Sequence, residues 1–189
     1  YGDGSYKRPI VYNVGNFTAP TAETPSLLTL DEVETLFHEF GHALQGMLTT
    51  APYKSLAGTN VDRDYVELCS QLYEHWGFAP EVLKKYARHY KTGEAIPDDV
   101  IEKLTASGTF NEGFVTTEAV GAAILDMMYG QQTEVADPAA FEAEVAEKIG
   151  MPKEITFRYR SPYFKHIFGD DGYASGYYTY TWAQVLGAD

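Results

Sequence analysis

The sequence has little of what marks disulfide-linked, nucleic-acid-binding or membrane-spanning proteins. It contains one cysteine, Cys69, so no internal disulfide can form and a reducing compartment is compatible. Only 14 Lys and Arg residues oppose 27 Asp and Glu, and the net charge of −13 argues against a nucleic-acid or anionic-membrane partner. No apolar run reaches the ~18 to 20 residues that a membrane span needs. We therefore expect a cytoplasmic location, with the periplasm as the alternative, and no binding of nucleic acid or membrane.

The chain is nevertheless rich enough in apolar side chains to fold. Of its 189 residues, 44% are apolar and 14% aromatic, which is sufficient for a sizeable core and excludes extensive disorder. It begins with Tyr1 rather than an initiator Met, and it stops at Asp189 within a helical pattern that starts at residue 177. We interpret it as a piece of a longer protein.

Local signals predict a mainly α fold with a minor β edge. Residues 10–14 form a short β-like run that we expect to be an edge strand. Thr29 and Glu32 form a capping box, so a helix begins there, and its apolar stripe continues to about Leu48. Further stripes and turn signals predict helices over 62–76, 80–91, 97–107, 111–130 and 137–149, an irregular stretch over 151–172, and an aromatic-rich helix from about 173.

The strongest chemical signal is the run His38-Glu39-Phe40-Gly41-His42 within the first of these helices. Residues four apart lie on one helix face, so both imidazoles can reach a single ion. Zinc binds two imidazoles plus a carboxylate and leaves a fourth position for water, whose proton Glu39 could take and pass to a leaving amine. Two histidines on a helix surface are the alternative, but the helix is predicted independently of the motif. We therefore expect one Zn²⁺ per chain.

The third metal ligand must come from elsewhere, and spacing alone does not identify it. The second helix carries four polar residues at three- and four-residue steps, namely Asp64, Glu67, Gln71 and Glu74. Any carboxylate among them could complete the site. A solvated polar face would have the same pattern.

A second candidate cluster lies near the end of the chain. Tyr173, Tyr177 and Tyr180 share one face of a helix, and neutral tyrosine hydroxyls can donate hydrogen bonds to the oxyanion of a tetrahedral intermediate. His166 precedes them, and the glycine-bracketed loop over 169–172 could let this face close onto a ligand. An ordinary aromatic core stripe is the alternative.

Three basic residues stand close together in this acidic chain: Arg158, Arg160 and Lys165. They could neutralise a substrate carboxylate, although surface salt bridges would explain them as well.

The motifs together resemble the thimet-oligopeptidase family of zinc metallopeptidases. The run Leu36-Phe37-His38-Glu39-Phe40-Gly41-His42-Ala43-Leu44 is similar to the family's zinc-binding signature. Residues 58–71 are similar to the helix that carries its third ligand, and the resemblance places that ligand at Glu67. It therefore implies a metal site of His38, His42 and Glu67, with Glu39 as catalytic base and acid.

The end of the chain is also similar to the family. Residues 172–182 resemble its substrate-contacting segment, which implies catalytic roles for Tyr173 and Tyr180 and substrate binding by Tyr177. His166 corresponds to the family's transition-state histidine if the loop before Tyr173 is a residue or two longer.

Within the family, the stretch from Arg158 to Phe168 looks more like the bacterial peptidyl-dipeptidases, or dipeptidyl carboxypeptidases. These enzymes remove C-terminal dipeptides and must hold a free carboxylate. The resemblance therefore implies that Arg160, or else Arg158 or Lys165, binds that carboxylate. An oligopeptidase that cleaves internally in short peptides is the alternative.

The resemblance also implies a domain organisation. The chain would be a zincin-like helical catalytic core of a longer, two-lobed peptidase, with a β arm over 1–27, metal-binding helices over 28–77, helical support over 78–150 and a substrate-binding loop and helix over 151–189. Its partners would be short peptide substrates and the remainder of the same polypeptide, an N-terminal lobe and a C-terminal stretch. In isolation, a catalytically silent metal-binding module is the alternative.

Overall fold

A computed structural model describes residues 7–188, and it confirms the prediction of a mainly α fold. Within these residues, eight helices follow in chain order: α1 Leu30–Leu48, α2 Leu68–Gly77, α3 Pro80–Tyr86, α4 Asp98–Ser107, α5 Glu112–Tyr129, α6 Pro138–Lys148, α7 Lys165–Phe168 and α8 Thr179–Gly187. Two short 3₁₀ turns lie at Lys54–Leu56 and Ser161–Tyr163. No helix among the described residues is both long enough and apolar enough to cross a membrane.

The predicted edge strand over 10–14 is not formed within residues 7–188. The β pairing there is limited to an isolated bridge between Arg88 and Ala95. A strand needs a neighbouring backbone to pair with, and the segment over 10–14 has none among the described residues. The side chains of Ile10, Tyr12 and Val14 are exposed instead.

The first helix begins where its sequence signal predicts. The Thr29 hydroxyl accepts the N–H of Glu32, and the Glu32 carboxylate accepts the N–H of Thr29, which completes the capping box. The same carboxylate also accepts the N–H and the hydroxyl of Thr18. These hydrogen bonds, that of the Thr29 backbone foremost, hold the pKa of Glu32 below its usual value. The segment before α1 is therefore tied to the start of the helix.

Two predicted helices begin later than the sequence indicates. Residues 62–67 form successive tight turns, with Tyr65 N–H donating to Asp62 and Leu68 N–H to Tyr65, and α2 begins only at Leu68. The last helix begins at Thr179 rather than near 173, because residues 173–178 form turns. Ser175 has a left-handed φ of 55°, which a continuous α-helix does not contain.

The core lies around α5, whose buried residues pack into two separate hydrophobic clusters. Ala122 and Ala123 pack with Phe164, Ile167 and Tyr177, while Leu125 packs with Val145 of α6 and with Phe157. Helix α1 packs along α2, and α8 packs against α2. This arrangement brings α1, α2 and the residues just before α8 to one place.

Candidate metal centre and tyrosine cluster

The paired histidines of α1 converge on one carboxylate. The ring centroids of His38 and His42 lie 4.9 Å apart. The Nε2 atom of His38 lies 3.3 Å from Oε2 of Glu67, and Nε2 of His42 lies 3.2 Å from the same oxygen. These three side chains thus face one another across the contact between α1 and the start of α2.

Gly41 lets α2 come close enough for this. A Cβ atom at residue 41 would lie 2.5 Å from the carbonyl oxygen of Cys69 and 2.7 Å from the Cα atom of Ser70. Any larger side chain would therefore collide with the backbone of α2, directly beside Glu67. The glycine between the two histidines is a packing requirement of the site.

Glu67 is buried, with 2% of its surface exposed, and its carboxylate is fully hydrogen-bonded. Besides the two imidazoles, it accepts the Ser70 hydroxyl at 2.8 Å and the Tyr173 hydroxyl at 2.5 Å. Burial raises the pKa of Glu67, but the hydrogen bonds, those of His38 and His42 foremost, outweigh burial and hold it well below its usual range. The side chain is therefore a carboxylate, as a metal ligand must be.

The second ring nitrogen of His38 has its own partner, Glu74. The Nδ1 atom lies 2.5 Å from a Glu74 carboxylate oxygen. Burial lowers the pKa of His38, but the hydrogen bonds to Glu67 and Glu74 raise it to about 9. The sequence left four polar residues as candidates for the third ligand, and the structure separates two of them. Glu67 faces the Nε2 atoms of both histidines, whereas Glu74 contacts Nδ1 of His38.

The geometry of this trio fits zinc. The ligand atoms of His38, His42 and Glu67 all lie within 4.8 Å of one another. Bonds of about 2.1 Å in a tetrahedron separate ligand atoms by about 3.4 Å, close to the two separations given above. Two imidazole nitrogens and one carboxylate oxygen also form a donor set that zinc accepts, with one position left for water.

The three tyrosines named from the sequence lie together with His166 and next to Glu67. The rings of Tyr173 and Tyr180 stack with centroids 5.7 Å apart, and Tyr177 lies 5.0 Å from Tyr180. The His166 ring lies 5.3 Å from Tyr177, 5.9 Å from Tyr173 and 6.1 Å from Tyr180. The structure therefore brings all four side chains into one aromatic cluster, which we call the tyrosine cluster.

Burial keeps the groups of this cluster neutral. It raises the pKa of Tyr177 and that of Tyr180 well above their usual values, and it raises the pKa of Tyr173, where Glu67 adds to the effect. Burial and the nearby charge of Arg158 lower the pKa of His166. At neutral pH the tyrosines are therefore O–H donors, and His166 is an uncharged imidazole.

Comparison with known proteins identifies the family. The sequence profile of peptidase family M3 matches residues 1–189. The chain belongs to this family. It is 46% identical to dipeptidyl carboxypeptidase of Escherichia coli strain K12 over 96% of its own length, and 36% identical to oligopeptidase A of the same organism over 99%. Organellar oligopeptidase A of Arabidopsis thaliana is 39% identical over 98% of the chain.

The chain spans about a quarter of the length of these M3 relatives, namely 27% of the dipeptidyl carboxypeptidase and 28% of the bacterial oligopeptidase A. Membership of a metallopeptidase family confirms the resemblance seen in the sequence motifs.

Glu39 and Arg160, the other site residues named from the sequence, have fewer contacts with these groups. Glu39 is half-buried on α1, and no hydrogen bond or ion pair to its carboxylate is present among residues 7–188. Arg160 contacts the buried carboxylate of Glu142 on α6 through Nε and stays half exposed. By contrast, the guanidinium of Arg158 lies 5.7 Å from the ring of Tyr159, which itself packs against His166.

Two residues that contact the tyrosine cluster were missed in the sequence. Arg63 lies 4.7 Å from the ring centroid of Tyr173 in a cation–π arrangement. Asp126 is buried on α5, and its carboxylate binds backbone N–H groups of the turns that carry the tyrosines. Its signal was a lone acid in the apolar run over 119–129, whereas nothing in the sequence distinguishes Arg63.

Proposed function

We propose that this chain is the catalytic core of a zinc-dependent peptidase that hydrolyses short peptides. The observation that carries the proposal is the convergence of His38, His42 and a buried, ionised Glu67 within 4.8 Å, with a tyrosine hydroxyl bonded to the same carboxylate. Membership of peptidase family M3 supports it independently.

His38, His42 and Glu67 would hold the ion. Bound zinc would supply Lewis acidity, lowering the pKa of a water molecule from about 15.7 towards about 7 and polarising the scissile carbonyl. Glu74 would keep the His38 ring in the orientation that turns Nε2 towards Glu67.

Glu39 would act as base and then as acid. Its carboxylate takes one proton from the attacking water, whose oxygen forms a bond to the carbonyl carbon of the substrate. When the C–N bond breaks, Glu39 returns that proton to the leaving amine nitrogen. The position directly after His38 on α1 supports this role because it is next to the metal ligands.

The tyrosine cluster would stabilise the developing oxyanion and hold the substrate. Tyr173 and Tyr180 are neutral O–H donors, and their stacked rings lie beside Glu67. We assign hydrogen bonding to the reacting carbonyl oxygen to these two residues and substrate contact to Tyr177. His166, an uncharged imidazole in the same cluster, would donate a further hydrogen bond to the oxyanion.

For the substrate, we propose peptides with a free C-terminus from which dipeptides are released. The 46% identity to a dipeptidyl carboxypeptidase supports this mode over internal cleavage, to which the relatives named oligopeptidase A point. Arg160 remains the proposed carboxylate ligand, but the position of Arg158 near the tyrosine cluster supports that residue at least as well. Product mapping with one peptide, carrying either a free or an amidated C-terminus, tests both the cleavage mode and the carboxylate ligand. If Arg158→Gln or Arg160→Gln loses the preference for the free C-terminus, the substituted arginine is the ligand. Equal cleavage of both peptides by the wild type would refute dipeptide release.

The experiment for the core proposal is Glu39→Gln. Gln preserves size but takes up no proton, so we expect zinc content to stay at the wild-type level while kcat falls by roughly 10² to 10⁴. Glu102→Gln, an exposed acid on α4, is the control and should keep full activity. Near-normal turnover in Glu39→Gln would refute its role.

A further inference from the structure

We propose that Asp126 is the positioning residue of the tyrosine cluster, an inference that rests on the proposed peptidase function. Asp126 lies near the end of α5 with 2% of its surface exposed. One of its carboxylate oxygens accepts the N–H of Ser175 at 2.8 Å, and the other accepts the N–H of Tyr177 at 2.9 Å. Both bonds are made to the turns between Tyr173 and Tyr178.

These turns need such a partner. Ser175 has a φ of 55°, so the chain leaves helical geometry there. Within residues 7–188, the N–H groups of Ser175 and Tyr177 donate to no backbone carbonyl. A buried carboxylate is costly unless it is hydrogen-bonded, and bonds from N–H groups to an ionised carboxylate are among the stronger ones. The two hydrogen bonds thus offset the cost of burying the Asp126 side chain and fix the conformation of the turns.

The turns also pack directly on α5. A Cβ atom at Gly130 would lie 2.0 Å from the Ser175 hydroxyl oxygen, so the end of the helix and the turn touch without intervening atoms. The same region also contacts Arg63: the Thr179 hydroxyl donates to the Arg63 carbonyl at 2.6 Å, and the Arg63 guanidinium lies on the ring of Tyr173. The turns therefore contact both the end of α5 and the segment before Glu67.

The consequence is a fixed position for two tyrosines. One of the two amides that Asp126 binds belongs to Tyr177, whose ring contacts His166. The other belongs to Ser175, two residues after Tyr173, and the Tyr173 hydroxyl donates to Glu67. Among the described residues, the Asp126 carboxylate accepts these two backbone amides and no side-chain donor. It acts on the reaction through the tyrosines.

The test compares Asp126→Ala and Asp126→Asn with wild type in the full-length, zinc-loaded protein. Asn preserves the shape of the side chain and retains one accepting oxygen, so one of the two amides loses its bond. The Asn variant therefore tests the proposal even if the Ala variant folds poorly. Asp137→Ala is the matched control, because that carboxylate also accepts two backbone N–H groups, at the start of α6. Amide hydrogen exchange, zinc content, kcat and KM are measured for each, together with Tyr173→Phe and the double variant.

We expect faster exchange at Ser175 and Tyr177 in both Asp126 variants, unchanged zinc content, and a kcat lower by roughly 10- to 100-fold, since small displacements of positioned groups cost this much. Adding Tyr173→Phe to Asp126→Ala should change kcat little, because loss of Asp126 already displaces the Tyr173 hydroxyl that the second substitution removes. Wild-type exchange and kcat in Asp126→Asn, or additive effects in the double variant, would overturn the proposal. If the wild-type protein hydrolyses no peptide, the proposed function fails, and exchange at the two amides still decides whether Asp126 holds the turns.

Discussion

His38 has a carboxylate on either side of its imidazole ring. Glu67 faces Nε2 and Glu74 faces Nδ1, so the ring cannot rotate without losing a charge-assisted hydrogen bond. A partner on the outer nitrogen fixes the tautomer of a metal-binding histidine and increases its basicity. In the proposed zinc site, Glu74 would therefore affect metal affinity although its contact is with the outer nitrogen of His38.

Glu74→Gln should weaken zinc binding by roughly 10- to 100-fold, because the neutral amide orients and polarises His38 less well. Competition with a chelator of known affinity measures the change. Glu81→Gln on α3 removes an equal charge from an exposed position and should leave the affinity unaltered. Equal affinities for Glu74→Gln and wild type would show that the ring needs no outer partner.

Glu142 binds Arg160, one of the predicted substrate ligands, and its ionisation predicts how the free energy of unfolding varies with pH. Its buried carboxylate accepts the N–H of Ser161 at 2.6 Å and pairs with Arg160. Burial raises the pKa of Glu142, but hydrogen bonds from Ser161 and Arg160 outweigh it and hold that pKa below the usual value. A lowered folded-state pKa contributes stability above the unfolded-state value of about 4.3, and this stability is lost as the pH falls through the folded-state value.

Glu142→Gln should therefore lower the free energy of unfolding by about 2 kcal/mol at neutral pH, where the lost hydrogen bonds involve a charged group. The difference from wild type should shrink as the pH is lowered below about 4. Denaturant unfolding over this pH range measures it, with Glu144→Gln, an exposed neighbour on α6, as a control near zero throughout. A difference that does not vary with pH would contradict the ionic origin.

The sequence predicted the residues of the site unequally, for physical reasons. The histidine pair follows from helix periodicity, which is local. The choice of Glu67 does not follow from spacing, because residues 62–67 are turns rather than the helix that the apolar stripe predicts. Only the family resemblance selected Glu67 from the four polar residues. Asp126 acts through bonds to amides about 50 residues away, which no local pattern encodes.

At the scale of elements, the contact between α1 and α2 brings together the residues of the proposed metal site. The two helices approach so closely at Gly41 that backbone atoms of Cys69 and Ser70 occupy the space of a side chain. Gly46 lies in the same helix, but there the nearest described atom to a Cβ would be a side-chain carbon of Val11, at 3.0 Å. The two glycines of one helix thus have different roles.

Gly41→Ala should force the helices apart, reduce zinc content and lower the unfolding temperature. Gly46→Ala is the matched control: Ala is favoured over Gly inside a helix by about 1 kcal/mol, and the added Cβ meets a side chain of a segment without helix or strand rather than a helix backbone. We expect Gly46→Ala to keep both zinc and stability. Elemental analysis and thermal unfolding measure the pair, and full zinc content in Gly41→Ala would disprove the packing argument.

Elements with local stop and start signals were predicted well, and those set by tertiary contacts were not. The capping box places the start of α1, and Asp137 caps α6 where the sequence indicates. The turns over 173–178 were predicted as helix because their tyrosines recur at helical spacing. Their actual conformation depends on Asp126 and on the contact with α5.

At the scale of the whole molecule, the chain exposes far more surface than its mass requires. Its accessible surface is 13265 Å², whereas a self-contained monomer of 21.0 kDa exposes about 9,000 Å². Large apolar side chains such as Trp76, Phe110 and Trp182 lie on that surface. Together with its span of 27% of a relative's length, this supports our proposal that the chain is a catalytic core covered by other parts of a longer polypeptide.

Whether such a core assembles its metal site by itself is the central question, and zinc content answers it most directly. The measurement is elemental analysis of the purified chain, with Glu67→Ala and the control Glu102→Ala alongside. We expect about one zinc per chain in the wild type and the control, and almost none in Glu67→Ala, because the ligands from two elements must converge for tight binding. A wild-type chain without zinc, or a Glu67→Ala variant that binds it equally tightly, would contradict the metal centre described above.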